Sequence, residues 1–328
     1  MRGLTRIVAS LAVPLALMSA DVTAQSAAYP SKPVRLVIPF APGASTDILS
    51  RLAADELAKR LNTPFIPENV TGAGGTIGTA QVAKAAPDGY TLVGATPGPI
   101  TISPVAVPAK DMPYNVNELR AITLVAEGPG ALVVAKDSKF KTVKDLLDAA
   151  RAKPGSLSFG SAGTGAFSHL ASELLKALAH IDAVHIPYRG SGPAMVDLLG
   201  GRLDFYMEYF PAVQKLVDSG ELRLLAVTSA KRFPLRPDVP TLAESGVPGY
   251  DASAWVGLMA PAGTPDAVID KQQQTMAQAL RDPAVIAKIN GLGVIPGGQP
   301  PAEFAAYLQR ERDKYKKIVD ETKLVISP

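Results

Sequence analysis

Three short loops carry the residues of this chain best suited to holding a ligand. They are Pro42-Gly43-Ala44-Ser45-Thr46-Asp47, Thr71-Gly72-Ala73-Gly74-Gly75-Thr76-Ile77-Gly78 and Gly160-Ser161-Ala162-Gly163-Thr164-Gly165. Each follows an apolar run of strand length and opens a stretch with helical periodicity. That arrangement puts free backbone N–H groups, the positive end of a helix dipole and nearby hydroxyls at the carboxyl end of a strand. Glycine suits such a loop because it admits positive φ and lets the backbone approach a bound group closely. The chemistry is capture of an anion, with no cationic side chain strictly required. Hydrogen bonds to a charged partner contribute roughly 1.5–3 kcal/mol each. Four or five of them, less the cost of immobilising a ligand, reach about −8 kcal/mol, which is micromolar binding. Any one loop alone reads equally as an ordinary helix start with a glycine turn. The threefold use favours binding.

Other chemistries fail on residue detail. In the second loop Ile77 stands where G-x-G-x-x-G needs its last glycine, and Asp88 comes too soon to be the ribose-binding acid about 20 residues on. The chain has neither the G-K-[ST] of a P-loop nor the G-x-S-x-G of a hydrolase elbow. Ser168 and His169 are adjacent on one helix and so do not face each other. Histidine occurs only at 169, 180 and 185, and cysteine is absent, which excludes thiolate chemistry and argues against zinc. No catalytic residue, metal or cofactor is expected.

The elements positioning the loops alternate between strand and helix. Residues 34–40 read as a buried strand, and residues 46–61 place Ile48, Leu49, Leu52, Ala53, Leu57 and Leu61 on one helical face. Further strands are expected near 65–66, 90–94, 131–134, 157–159, 184–186, 203–206, 222–227 and 255–259. Helices are expected over about 76–85, 143–151, 165–178, 193–199, 266–281 and 301–322. The last is amphipathic and heavily charged, and reads as a solvated surface helix. The alternation argues for α/β layers. At 328 residues the chain exceeds one comfortable core, so two lobes are expected, and 47% hydrophobic residues suffice to fill them. A net charge of +3 is too small to suggest nucleic-acid binding. Residues 1–24 combine Arg2 and Arg6, a short apolar run and Val22-Thr23-Ala24, the pattern of a cleaved export signal.

An ordered set of motifs is more specific than any of these signals. It begins with Tyr29-Pro30-Ser31-Lys32-Pro33-Val34-Arg35, Pro39-Phe40-Ala41-Pro42-Gly43 and Asp47. It runs on through Glu68-Asn69, Gly72-Ala73-Gly74-Gly75 and Pro87-Asp88-Gly89-Tyr90-Thr91. Later come Gly160-Ser161-Ala162-Gly163 with His169-Leu170, Pro187-Tyr188-Arg189-Gly190, Gly200-Gly201-Arg202-Leu203-Asp204, Pro237-Asp238-Val239-Pro240 and Ala260-Pro261-Ala262-Gly263-Thr264-Pro265. Over essentially the whole mature chain, this set resembles the Bug-type receptors, the periplasmic solute-binding proteins of tripartite tricarboxylate transporters.

The resemblance implies an α/β, two-lobed type II periplasmic-binding fold, each lobe a central sheet flanked by helices and joined by two crossings near Glu127 and Ala252. Lobe one would be residues 25–126 plus 252–328, and lobe two residues 127–251. It implies a ligand carboxylate held on lobe one by Phe40, Pro42, Ala44, Ser45, Asp47, Gly72, Ala73, Gly74 and Gly75. Lobe two would add Ser161, Gly163, Thr164, Ser168, His169, Tyr188 and Asp204. Bland readings stand beside three of these: Asp47 ordering its own loop, Asp204 as a structural acceptor, and Tyr188 as lobe-surface packing. Ala44 departs from the family, which has a second glycine after Gly43; its methyl group would restrict φ or narrow the pocket. The aromatic run Phe205–Phe210 packs its neighbours or turns a ring into the cleft. The implied function is a periplasmic, monomeric receptor that delivers a small di- or tricarboxylate, or an aromatic acid, to membrane permease subunits. A ligand sensor and a carboxylate-acting enzyme are the alternatives.

Overall fold

The computed structural model describes residues 29–322, so the export signal expected over residues 1–24 lies outside the described residues. The chain opens with β1 (Val34–Ile38), α1 (Ser45–Leu61), β2 (Phe65–Asn69), α2 (Thr76–Ala83) and β3 (Thr91–Ala95). A π-helical turn at Gly98–Ile102 and the short α3 (Ser103–Ala106) lead to β4 (Leu119–Ala135), 17 residues long. Then come α4 (Val143–Ala152), β5 (Ser158–Ser161), α5 (Phe167–Ala179), β6 (Val184–Pro187) and α6 (Ser191–Leu199). They are followed by β7 (Phe205–Tyr209), α7 (Phe210–Asp218) and β8 (Leu222–Val227). The chain closes with β9 (Ser253–Pro261), α8 (Asp266–Ala279), α9 (Pro283–Gly291), β10 (Ile295–Pro296) and α10 (Pro301–Thr322).

The architecture is the two-lobed α/β fold that the motif order implies. In the first lobe β2, β1 and β3 run parallel, and β9 pairs antiparallel with β3. Parallel strands are covered on both faces, which explains why β1 is almost wholly apolar and buried. In the second lobe β6, β5 and β7 run parallel. The long strand β4 unites the two. It lies against β9 from Leu119↔Pro261 to Pro129↔Ser253, then continues from Gly130 to pair with β7 and β8.

One threonine ties the strands where they pass between the lobes. Thr228 Oγ1 accepts the Gly130 N–H at 2.7 Å and donates to the Ala252 carbonyl at 2.6 Å. Its backbone N–H donates to Gly130 O and its carbonyl accepts from Ala252 N. A Thr228→Val variant keeps the shape but strands a buried N–H and a buried C=O. It is expected to lose about 2–4 kcal/mol of unfolding free energy in urea titrations, since each orphaned group costs about 1–3 kcal/mol. A loss below about 0.5 kcal/mol, within the range of an ordinary surface change, would contradict that role.

The last helix departs from the solvated reading. Phe304, Leu308, Glu311 and Tyr315 recur three to four residues apart, and all are buried. Phe304 and Leu308 pack with Trp255 and Tyr114 in the first lobe, while Tyr315 meets Leu170 of α5 in the second. Most of the helix's charged residues face outward, Glu311 excepted, while its buried stripe is a structural strap over both lobes.

Candidate ligand-binding site

The three loops meet at one cleft, each fixed differently. In the first, Gly43 takes φ +84° and donates its N–H to Asp47 Oδ2 at 3.0 Å. The Asp47 carboxylate also accepts from Arg51 Nε and from Asn69 Nδ2, both at 2.8 Å. Asn69 Nδ2 further donates to Phe40 O. Only 4% exposed and ringed by donors, Asp47 orders the loop and lines neither cavity of the cleft. Ala44 sits at φ −66° and ψ 156°, a conformation open to any residue. Its methyl therefore imposes no strain; it lines the inner cavity described below. Pro42 is exposed and outside both cavities.

The second loop holds four successive positive φ values, from Gly72 (+129°) through Ala73 (+44°) and Gly74 (+61°) to Gly75 (+97°). Glycine is needed here for space as well as φ. A Cβ on Gly75 would stand 3.0 Å from the Phe40 ring, and one on Gly74 only 2.4 Å from the Thr164 carbonyl of the other lobe.

The third loop uses its own amides internally. The Ala162 N–H donates to Ser168 Oγ, Gly163 N–H to Ser161 Oγ and Gly165 N–H to His169 Nδ1. Ser161 Oγ is in turn 2.6 Å from His185 Nε2, and the His169 and His185 rings stack at 3.9 Å. Ser161 and His169 thus brace the loop from behind and line neither cavity. Because His169 Nδ1 accepts, the proton of the neutral ring lies on Nε2.

Burial, with Lys176 close by and each ring beside the other, pushes His169 down to about 3; burial and Lys176 push His185 down to about 4. Both folded values lie below the ordinary 6.5, so the unfolded chain takes up protons first. Their stabilisation is complete above about pH 6.5 and is lost as pH falls toward 4 and then 3. Between pH 6.5 and 4.5 the protein is expected to lose on the order of 2 kcal/mol that a His169→Gln variant does not lose, by denaturant titration at both pH values. Equal losses in both proteins would refute the assignment.

The cleft holds two adjoining spaces, with Phe40 and Ala162 bordering both. The outer one, about 510 Å³, lies between Gly72–Gly75 on one side and Gly163, Thr164 and Tyr188–Gly190 on the other. Arg189 is the single cationic side chain lining it among the described residues. Tyr188 presents its ring, while its hydroxyl donates to Asp197 Oδ2 at 2.7 Å. The inner space, about 20 Å³, is lined by the first residues of three helices: Ser45 and Thr46 of α1, Phe167 and Ser168 of α5, and Ser191 of α6. None of the three has a side-chain cap; Ala44, Ala166 and Gly190 stand at the capping positions. Uncapped helix starts aim orphan N–H groups and positive dipole ends at whatever lies before them.

Glu208 and Tyr209 of β7 complete the inner wall. The Glu208 carboxylate accepts from the Ser191 hydroxyl, from Tyr206 OH at 2.8 Å and from Tyr209 N–H at 2.8 Å. Burial drives its pKa up, against the pull of those donors. Ser45 Oγ and Tyr209 OH are buried without a protein partner, and both residues also border a second small cavity beside Glu127 and Trp255.

Of the residues proposed from sequence, Phe40, Ala44, Ser45, Gly72, Ala73, Gly74, Gly75, Gly163, Thr164, Ser168 and Tyr188 come together around the cleft. Asp204 does not. Its carboxylate accepts from Ser158 N–H at 2.8 Å and borders a separate pocket of about 650 Å³ beside Lys136 and Lys139. Sequence reasoning missed Ser191, Glu208 and Arg189 as lining residues, while Tyr209 belongs to the aromatic run from which a ring was expected to reach the cleft. The available signals were a serine directly after Gly190 at a helix start, and a lone carboxylate inside an aromatic strand.

Among known proteins, the family described as "Tripartite tricarboxylate transporter family receptor" matches residues 49–324. Protein BugT of Bordetella pertussis is 35% identical over 322 residues, covering 98% of each chain. The R. palustris protein Rpa4515, solved with adipate, superposes with a TM-score of 0.86 at 34% identity, over 92% of this chain and 99% of that one. MatC from Rhodopseudomonas palustris, with bound malate, gives a TM-score of 0.84 at 30% identity, over 89% of this chain and 100% of that one.

Proposed function

Since this chain belongs to the receptor family of tripartite tricarboxylate transporters, we propose that it captures a small carboxylate between its lobes and hands it to the permease subunits of such a transporter. The observation that carries the reading is the convergence of three helix starts without side-chain caps, one from the first lobe and two from the second, on a single inner space. Such a site favours negative charge through backbone donors and helix dipoles alone. It draws on both lobes, so a bound anion lowers the free energy of the closed arrangement relative to an open one. The inner space is too small for a di-acid, and binding requires the lobes to part and close again. Lobe one comprises residues 25–126 plus 252–328 and lobe two residues 127–251, with β4 and the segment before β9 as the crossings. Among the described residues that line the cleft no nucleophile is paired with a base: Ser161 and His185, 2.6 Å apart, brace the third loop and border neither space. This arrangement supports a binding role over a catalytic one.

No described helix is long and apolar enough to cross a membrane. The signal pattern at residues 1–24 supports export to the periplasm. The reading is tested by thermal shift of the mature protein against di- and tricarboxylates, aromatic acids, amino acids and neutral sugars. A ligand bound only by the native state adds about 2.7 kcal/mol at 100 times its dissociation constant. Stabilisation by one carboxylate class is expected. Stabilisation by neutral sugars alone would overturn the anion reading.

A further inference from the structure

The inner space is rich in donors and has one charged acceptor. Three helix starts and the Ser45 hydroxyl offer hydrogens. Ser45 is only 2% exposed and its hydroxyl has no protein partner. Against them stands Glu208. Its Oε2 receives the Ser191 and Tyr206 hydroxyls and its Oε1 the Tyr209 N–H. A carboxylate offers about four lone-pair sites, so Oε1 keeps one. No cationic side chain lines this space, and Glu208 has no ion pair among the described residues. A ligand carboxylate drawn in by the helix starts would stand beside a second carboxyl group. That juxtaposition is unfavourable unless the ligand also supplies a donor for the vacant acceptor position.

We infer that Glu208 determines ligand class, accepting a hydrogen bond from a hydroxyl or ammonium group on the carbon next to the ligand carboxylate, so that the site prefers 2-hydroxy- or 2-amino-carboxylates over the unsubstituted acids. The inference rests on the receptor reading above and deepens it. The division of labour is specific. Helix starts and the Ser45 hydroxyl hold the carboxylate, and Glu208 reads the substituent beside it. Sites built to bond a substrate donor reject analogues that lack it, because the buried acceptor is then left unmatched.

The test is isothermal titration of the mature protein with succinate, glutarate and adipate, each against its 2-hydroxy and 2-amino counterparts. At least one substituted acid is expected to bind at least tenfold more tightly than its unsubstituted parent. In Glu208→Gln, which keeps the shape and removes the charge, that preference is expected to shrink to about threefold or less, with the parent acid bound as well as before or better. The wild-type comparison needs no variant, so a misfolded E208Q would not hide the answer. Unsubstituted acids binding as tightly as their counterparts would overturn the inference and leave the receptor reading standing. An equal loss for every ligand in folded E208Q would do the same. Absence of binding by every carboxylate in the wild type would overturn both.

Discussion

Gly74→Ala is expected to weaken carboxylate binding on the order of a hundredfold while leaving both lobes folded. The added Cβ would stand 2.4 Å from Thr164 O, 2.7 Å from Gly165 C and 2.8 Å from Ala166 N. All three are backbone atoms of the opposite lobe, fixed by the Ser161, Ser168 and His169 bonds behind them, so no side-chain rotation relieves the overlap. The lobes must stand apart instead. Apparent affinity falls in proportion to the fraction of molecules able to close, so a closed population near one per cent gives roughly a hundredfold loss. The stability cost is small by comparison. At φ +61° alanine is disfavoured by only about 1–2 kcal/mol. Titration calorimetry paired with a thermal melt separates the two effects. Wild-type affinity in G74A would mean that the second and third loops do not meet in the bound state.

Phe304→Ala carries the largest expected stability loss, about 3–5 kcal/mol by denaturant titration, the range for emptying a buried aromatic site. Phe304 is 1% exposed and stands edge-on to Trp255, with ring centroids 5.7 Å apart. Its ring fills a notch made by Gly257 of β9, where a Cβ would lie 2.4 Å from Cζ. A central strand and a terminal helix are cut to fit each other, and little room exists for collapse into the void. A loss under 1 kcal/mol would show that α10 contributes little to the fold and would restore the picture of a surface helix.

The local pattern was legible wherever one element buried one face. The periodicity of residues 46–61 and the apolar run at 222–227 translate into α1 and β8 with little change. Legibility failed where tertiary context overrides local signals. Gly128-Pro129-Gly130 reads as a strand breaker, yet β4 runs straight through it, because there the strand changes partners between lobes. The aromatic run ending at Phe210 looks like one strand, yet Pro211 in the first turn lets α7 begin at once. The charged last helix concealed a stripe whose partners, Trp255 and Leu170, lie far away in sequence.

The site was legible to a similar depth. Glycine-rich loops announced which backbone lines the cleft, and their φ values explain why glycine stands at Gly43 and Gly74. What pattern could not supply was which amides remain free. The third loop's N–H groups at 162, 163 and 165 are occupied by its own side chains, and the donors facing the cleft come from the start of α5 instead. Glu208 escaped notice because one partner, Ser191 at the start of α6, reaches it only through tertiary packing, although Tyr206 stands two residues away on the same strand. Asp204, one turn earlier, serves the opposite end of the second lobe.

The most direct test of anion capture is a calorimetric titration of the mature protein with its preferred carboxylate and with the methyl ester of that acid. Backbone donors and helix starts that recognise charge predict one-to-one binding of the acid with a dissociation constant on the order of micromolar. They also predict at least a hundredfold weaker binding of the ester. Equal affinities for acid and ester would contradict the proposal that the three helix starts hold a carboxylate.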